Sequence, residues 1–336
     1  MKNTVTKGQR KSIFKIILDR REVILVIIIA MLIAVIRLRS PYFFNINNFR
    51  DILLDTSILM IVAIGQMMVI ITRGIDLSVA STLAFSGMAV ALIVSHNRWI
   101  HPILAILMGM CIGLVLVSFT GFLVSKAKIP PIIATIATIT IYRCATYMIS
   151  GVAWVDASEM PDSFKHISRG TILGIPNLIF IVIVVSLIFY YFLGYTRTGR
   201  QIYAFGSNPD AARFVGIGVE KINFIVYMLS GVLCGLAGVL WVSRYASAQP
   251  NSASGFELLT VAACVIGGVF IFGGSGSIPG VLLCSLLLGI VTNALNLIRV
   301  SPFWKLAIQG LIILIAVITD TIIYRRVVRA LHKGES

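Results

Sequence analysis

The chain has 336 residues, 58% hydrophobic and 12% charged, with a formal net charge of +15. Soluble domains carry roughly 25% charged residues, so the composition excludes a water-soluble enzyme or binding module. Unbroken Leu, Ile and Val runs exclude a transmembrane barrel, whose strands alternate, and leave an all-α polytopic membrane protein.

In chain order the first element is a basic tail, 1–15, leading into an apolar run at 23–36. The pattern resembles a signal peptide, but no small-x-small cleavage site follows, and Arg37 and Arg39 come directly after it. An uncleaved first span is the expectation. Ten spans are expected: 16–36, 52–71, 77–94, 103–125, 132–149, 172–193, 222–242, 258–272, 278–298 and 303–324. They form one domain over 1–336, with a polar loop at 199–221 and a second tail at 325–336. An even count puts both termini on one side. The loops on that side hold eighteen basic residues against nine on the other. The excess of Lys and Arg places both termini and the 199–221 loop in the cytoplasm. It also explains the positive charge without a nucleic-acid partner.

Spans two and three are separated only by 72–76, so they form a tight hairpin or a broken helix. The string GQMMVIITRGIDLSVAS (65–81) holds Gln66, Arg73 and Asp76. Asp76 suits an N-cap for the third span that pins the hairpin, the favoured role, with gating or the solute path as the alternative for an acid between apolar spans. In IPPIIATIATITIYR (129–143), Pro130 and Pro131 are tolerated only at a helix start. Thr135 and Thr138 share a helix face and Thr140 lies on another. Their hydroxyls satisfy carbonyls of their own helix or touch a solute. The segment 151–177 is the longest on the opposite side, and is either a hydrated loop or a docking site.

Between two apolar runs comes GRQIYAFGSNPDAARFVGIGVEK (199–221). Asn208 is a good N-cap, Pro209 suits the first helical position, and Asp210 favours the positive end of the helix dipole. Ala211, Ala212, Arg213, Phe214 and Val215 continue the helix, and Gly216 with Gly218 can end it. The result is about two turns, roughly 10 Å long. Alone, it is equally a surface helix or a lever offering an apolar knob, Phe214 and Val215, to another protein.

The glycine-rich GGVFIFGGSGSIPG (267–280) lacks the GK[ST] ending of a phosphate loop and follows no strand. It reads as close helix packing or a helix break in a protected region. ATP is therefore expected on another subunit, and no cofactor on this chain. Asn293 and Asn296 share one helix face in the ninth span, where they either join helices or line a polar path. The five cysteines are not at CxxC spacing and read as small core residues, with no disulfide framework or metal site. The histidines lie in loops or the tail, and no catalytic cluster argues for an enzyme.

Four strings together carry a family resemblance: 65–81, 129–143, GRQIYAFGSNPDAARFVGI (199–217) and SAQPNSASGFELLTVAACVIGG (247–268). The chain resembles, from about 58 to 320, the permease subunits of bacterial ABC importers for ribose, xylose, galactose, rhamnose and autoinducer-2. The resemblance implies a multi-pass protein of the bacterial inner membrane that forms a translocation pathway with a second permease subunit, identical or related. It further implies two cytoplasmic ATPase domains and a periplasmic or lipid-anchored sugar-binding protein. It places an ATPase-coupling helix at Asn208–Gly216. Arg73 and Arg299 depart from the small or neutral residues expected there. A stand-alone secondary carrier or channel is the competing class, and an ion-driven carrier needs acids within its spans. The sugar is left open, as is the choice between two identical and two related permease subunits.

Overall fold

A computed structural model describes residues 21–39, 41–172 and 174–297, and beyond them Trp304, Ala307, Gly310, Leu311, Leu314 and Ile318. The expected tails 1–15 and 325–336, Arg299, part of the first span and most of the tenth lie outside the described residues.

The helices are α1 (Arg21–Arg39), α2 (Ile46–Ile71), α3 (Val79–His96), α4 (Pro102–Ser125), α5 (Pro131–Ser150) and α6 (Asp162–Arg169). They continue as α7 (Asn177–Tyr195), α8 (Arg197–Ser207), α9 (Pro209–Phe214), α10 (Val219–Tyr245), α11 (Phe256–Ile266) and α12 (Ile278–Leu297). A small antiparallel ladder, β1 (Thr171–Ile172) with β2 (Ile175–Pro176), precedes α7. Among the described residues, seven helices are long and apolar enough to cross a membrane: α2, α3, α4, α5, α7, α10 and α12.

The expected eighth span, 258–272, does not form one helix. α11 has 11 residues, about 16 Å at 1.5 Å per residue, roughly half of a hydrocarbon core. The chain then turns through Gly268, Gly273 and Gly274, with φ of 93°, 88° and 84°. Those values favour glycine, so the glycine run is a helix break. The broken backbone packs against the ends of α2 and α8, with Gly273 buried and Phe272 exposed.

α2 is the central helix and packs against α7, α10, α11 and α12. From Ile58 to Ile71 every side chain except Met60 is buried. α10 crosses α4, α3 and α2. Its contact with α4 is glycine against glycine. A Cβ at Gly113 would strike the Gly231 carbonyl and approach Gly235 Cα to 2.7 Å. Gly109 lies 2.9 Å from Gly235 O by the same construction, and Gly87 of α3 lies 2.7 Å from Gly238 O. Helices in lipid associate through such close backbone contact.

At the end of the bundle holding α6, the segment 151–177 folds back onto α10. Ser168 N donates to Ser243 Oγ (2.9 Å), Ser168 Oγ to Leu240 O (3.0 Å) and Arg169 Nε to Arg244 O (3.0 Å). It is therefore a packed cover rather than a free loop. α8 and α9 occupy the opposite end. Of the cysteines, Cys234, Cys264 and Cys284 are buried, but Cys111 and Cys144 are exposed. The expectation of core positions fails for those two, because α4 turns an apolar face outward at Cys111 and Cys144 lines an open groove beside α5.

Candidate functional site

α9 is built by its cap. Asn208 Oδ1 accepts from Asp210 N (3.0 Å) and Ala211 N (3.1 Å), satisfying two N–H groups with no partner inside the helix. Pro209 takes the first helical position. Gly216 N donates to Arg213 O (2.9 Å), Ile217 N donates to Ala212 O (2.9 Å), and Gly216 sits at φ 80°, which stops the helix. Ala212 is the one buried residue of the six. Phe214 is 91% exposed and Val215 75%.

Arg213 ties this helix to α10. Its Nη2 lies 3.2 Å from Glu220 Oε1, with Lys128 Nζ at 3.9 Å from the same oxygen and Asp210 Oδ1 at 3.8 Å from Arg213 Nη1. Glu220 accepts from its own backbone N–H and faces both cations, and its carboxyl is held below the usual glutamate range.

Behind α9 three segments meet. Arg73, at φ 64°, donates from Nε to Gly206 O (2.7 Å) and from Nη2 to Ser207 O (2.6 Å). Gly274 N donates to Ile71 O (2.9 Å), and Tyr203 Oη to Gly276 O (3.0 Å). A Cβ on Gly206 would collide with Ile71 O. The end of α2, the end of α8 and the glycine loop after α11 thus share a backbone-to-backbone knot. α9 follows α8 directly, so it is joined through this knot to the central helix and to the broken one. In this knot Arg73 is the residue whose role its sequence position alone did not reveal.

Further in, the expected path residues separate into two groups. Gln66, Asp76, Thr135 and Thr138 are buried in one packed region. Asp76 Oδ1 accepts from Ser78 N (2.8 Å) and Ser78 Oγ (2.6 Å). Burial pushes its carboxyl up to about 6 against those two bonds. The N-cap of α3 is Ser78 rather than Asp76, because the helix begins at Val79. The Gln66 amide, turned with nitrogen toward Asp76 O (3.1 Å) and oxygen toward Asp76 N (3.2 Å), pairs with the same backbone. Thr135 Oγ1 donates to Ile75 O at 3.2 Å, and Thr138 Oγ1 to Thr135 O at 3.3 Å. This group pins the α2–α3 hairpin to α5. Replacing Asp76 by Ala is expected to lower stability by about 1–2 kcal/mol, while Asp76→Asn, which keeps the acceptor, loses less. Thermal melting in detergent measures both.

Asn293 and Asn296 lie elsewhere, on a cavity of about 270 Å³ among α2, α10, α11 and α12. Trp241, Tyr245 and Phe256 form its aromatic wall, and Asp55, Thr56 and Thr292 are also on it. Arg244 Nε (3.3 Å) and Tyr245 Oη (3.2 Å) both donate to Asp55 Oδ1, and Asn293 Nδ2 donates to Asn48 Oδ1 (2.9 Å). A third place, an open groove of about 430 Å³, is lined by Ile139, Thr140, Arg143, Cys144, Ser254 and Glu257. Thr140, on the other side of α5 from Thr135 and Thr138, is the threonine that reaches it. An arginine and a glutamate within apolar sequence are the signal that could have marked this groove, and the sequence reading did not use it.

The family described as branched-chain amino acid transport system / permease component matches residues 48–317. The ribose import permease protein RbsC of Escherichia coli (strain K12) is 40% identical over 296 residues, 88% of this chain and 92% of the relative. In the same strain, the D-allose transport system permease protein AlsC is 34% identical over 298 residues, covering 88% of this chain and 89% of the relative. The L-arabinose transport system permease protein AraH has the same identity over the same length and the same coverage of both chains. No solved structure matches.

Proposed function

Since the chain belongs to the branched-chain amino acid transport system / permease component family, we propose that it is the membrane-spanning permease subunit of an ATP-driven importer for a small aldose. Relatives named for ribose, allose and arabinose support the substrate class. In this reading two permease subunits form the pathway. Two cytoplasmic ATPase domains supply the energy, and a binding protein outside the membrane delivers the sugar. The α9 end is cytoplasmic and the α6 end faces outward, in keeping with the basic loops.

The observation that carries the reading is α9 itself. It is a capped two-turn helix that leaves Phe214 and Val215 exposed among the described residues, and it follows directly on the end of α8, which is knotted to α2 and the glycine loop. ATP-driven closure of the ATPase pair moves the groove gripping α9. The knot passes that motion to α2 and α11, and the pathway switches its opening from outside to inside. The binding protein supplies selectivity, so the pathway needs only weak polar contacts.

Ribose uptake into proteoliposomes tests this. It is expected only with ATP, the ATPase subunit and the binding protein all present. Uptake by the chain alone on an ion gradient would establish a secondary carrier instead. Asp76, the acid that the sequence marks for such a carrier, is enclosed by the hairpin contacts.

Arg73→Ala is expected to leave insertion and ATP hydrolysis in place and to raise the ATP consumed per ribose several-fold. The lost fork to Gly206 and Ser207 is a charge-assisted pair of roughly 1.5–3 kcal/mol. Arg73→Lys recovers little, since an ammonium cannot reproduce the two-nitrogen geometry. Parallel ATPase and uptake assays read the ratio.

A further inference from the structure

The groove between α5 and the start of α11 holds charge at a depth where lipid does not tolerate it. Arg143 lies about 18 Å along α5 from Pro131 and about 10 Å short of Ser150 at 1.5 Å per residue, inside a hydrocarbon core of about 30 Å. Its Nη1 donates to Pro250 O (2.9 Å) and Ser252 O (2.8 Å), which fixes the guanidinium at the groove wall. Glu257 lines the same groove, and its Oε2 is buried with no hydrogen-bond partner among the described residues. Thr140 and Cys144 are exposed on the groove side of α5. Charged side chains inside a membrane face water or protein rather than acyl chains. A buried carboxylate oxygen needs a donor.

We propose that this groove is water-filled and forms the outer part of the sugar path, with Arg143 and Glu257 hydrogen-bonding sugar hydroxyls in transit. The inference deepens the importer reading and rests on it. A guanidinium offers a fork of donors and a carboxylate a set of acceptors, which suits the mixed donor and acceptor hydroxyls of an aldose. Their charges cancel, so a neutral solute is neither repelled nor trapped by net charge. The far wall of the open groove is supplied by the second permease subunit.

Cys144 reports on the groove directly. The complete importer carrying Cys111→Ser is treated with a charged, membrane-impermeant methanethiosulfonate, and ribose uptake is followed. Cys111 on α4, kept alone in a Cys144→Ser importer, is the lipid-facing reference. Cys144 is expected to react at least tenfold faster than Cys111. Ribose is expected to slow that reaction, and labelling to block uptake. The Cys144→Ser importer should keep, after treatment, whatever uptake it shows before the reagent is added. A Cys144 that reacts no faster than Cys111, or that is labelled with uptake intact, overturns the proposal. ATP-dependent uptake by the unlabelled protein is measured first. Its absence would count against the importer reading, while the labelling rate would still decide whether the groove holds water.

Discussion

A permease carrying Phe214→Asp and Val215→Asp is expected to insert and fold like the parent and to import no ribose, although its ATPase partner still hydrolyses ATP. Both side chains are largely exposed, at 91% and 75%, so their replacement disturbs little packing among the described residues. The Asn208 cap, the Arg213–Glu220 pair and the Arg73 fork all remain. What is lost is the apolar knob. Truncating a central aromatic anchor at a protein interface costs about 2 kcal/mol or more, roughly a 30-fold loss of affinity. Phe214→Ala should therefore fall between the parent and the double variant. Two new carboxylates placed in an apolar groove add a desolvation cost. Co-purification of the ATPase subunit measures the binding loss, and uptake in the same vesicles measures its consequence. Normal uptake by the double variant would show that α9 is an ordinary surface helix.

Gly113→Val is expected to remove folded protein from the membrane altogether. Its first side-chain carbon would meet the Gly231 carbonyl and lie 2.7 Å from Gly235 N and Cα. These are backbone atoms of a buried helix and cannot rotate aside. The cost is expected to lie at or above the roughly 1–3 kcal/mol of ordinary overpacking, because α4 and α10 must separate along their length. Gly194→Ala is the matched control. Nothing lies within 4 Å of the added carbon there, and removing a helical glycine gains up to about 1 kcal/mol. Yield after detergent extraction and melting of the purified protein separate the two cases.

These variants mark where the sequence was readable. The α9 cap was legible because Asn, Pro and a following Gly each have one local role, and none depends on the rest of the bundle. The start of α5 at Pro131 was legible for the same reason. The α4–α10 contact was written as two glycines four residues apart on each helix, Gly109 with Gly113 and Gly231 with Gly235. Which spans they join is a tertiary fact that spacing does not carry. The eighth span failed as a single helix because hydropathy counts apolar residues and is blind to φ. Val269, Phe270, Ile271 and Phe272 are apolar enough to extend α11, but the backbone leaves the helix at Gly267 and turns at positive φ at Gly268. The six expected path residues could not be sorted from one sequence either. Gln66, Asp76 and Thr135 bond backbone of the hairpin region, Thr138 bonds its own helix, and Asn293 and Asn296 line a cavity. Both groups are polar side chains within or beside apolar runs, and packing told them apart.

The central claim is that α9 is the point where the ATPase grips this chain. Cross-linking from a single cysteine at position 215, in an otherwise cysteine-free permease within the assembled importer, tests it most directly. The account predicts an adduct with the ATPase subunit whose yield changes when ATP is added. An adduct with the external binding protein, or labelling of position 215 only from outside intact cells, would contradict it.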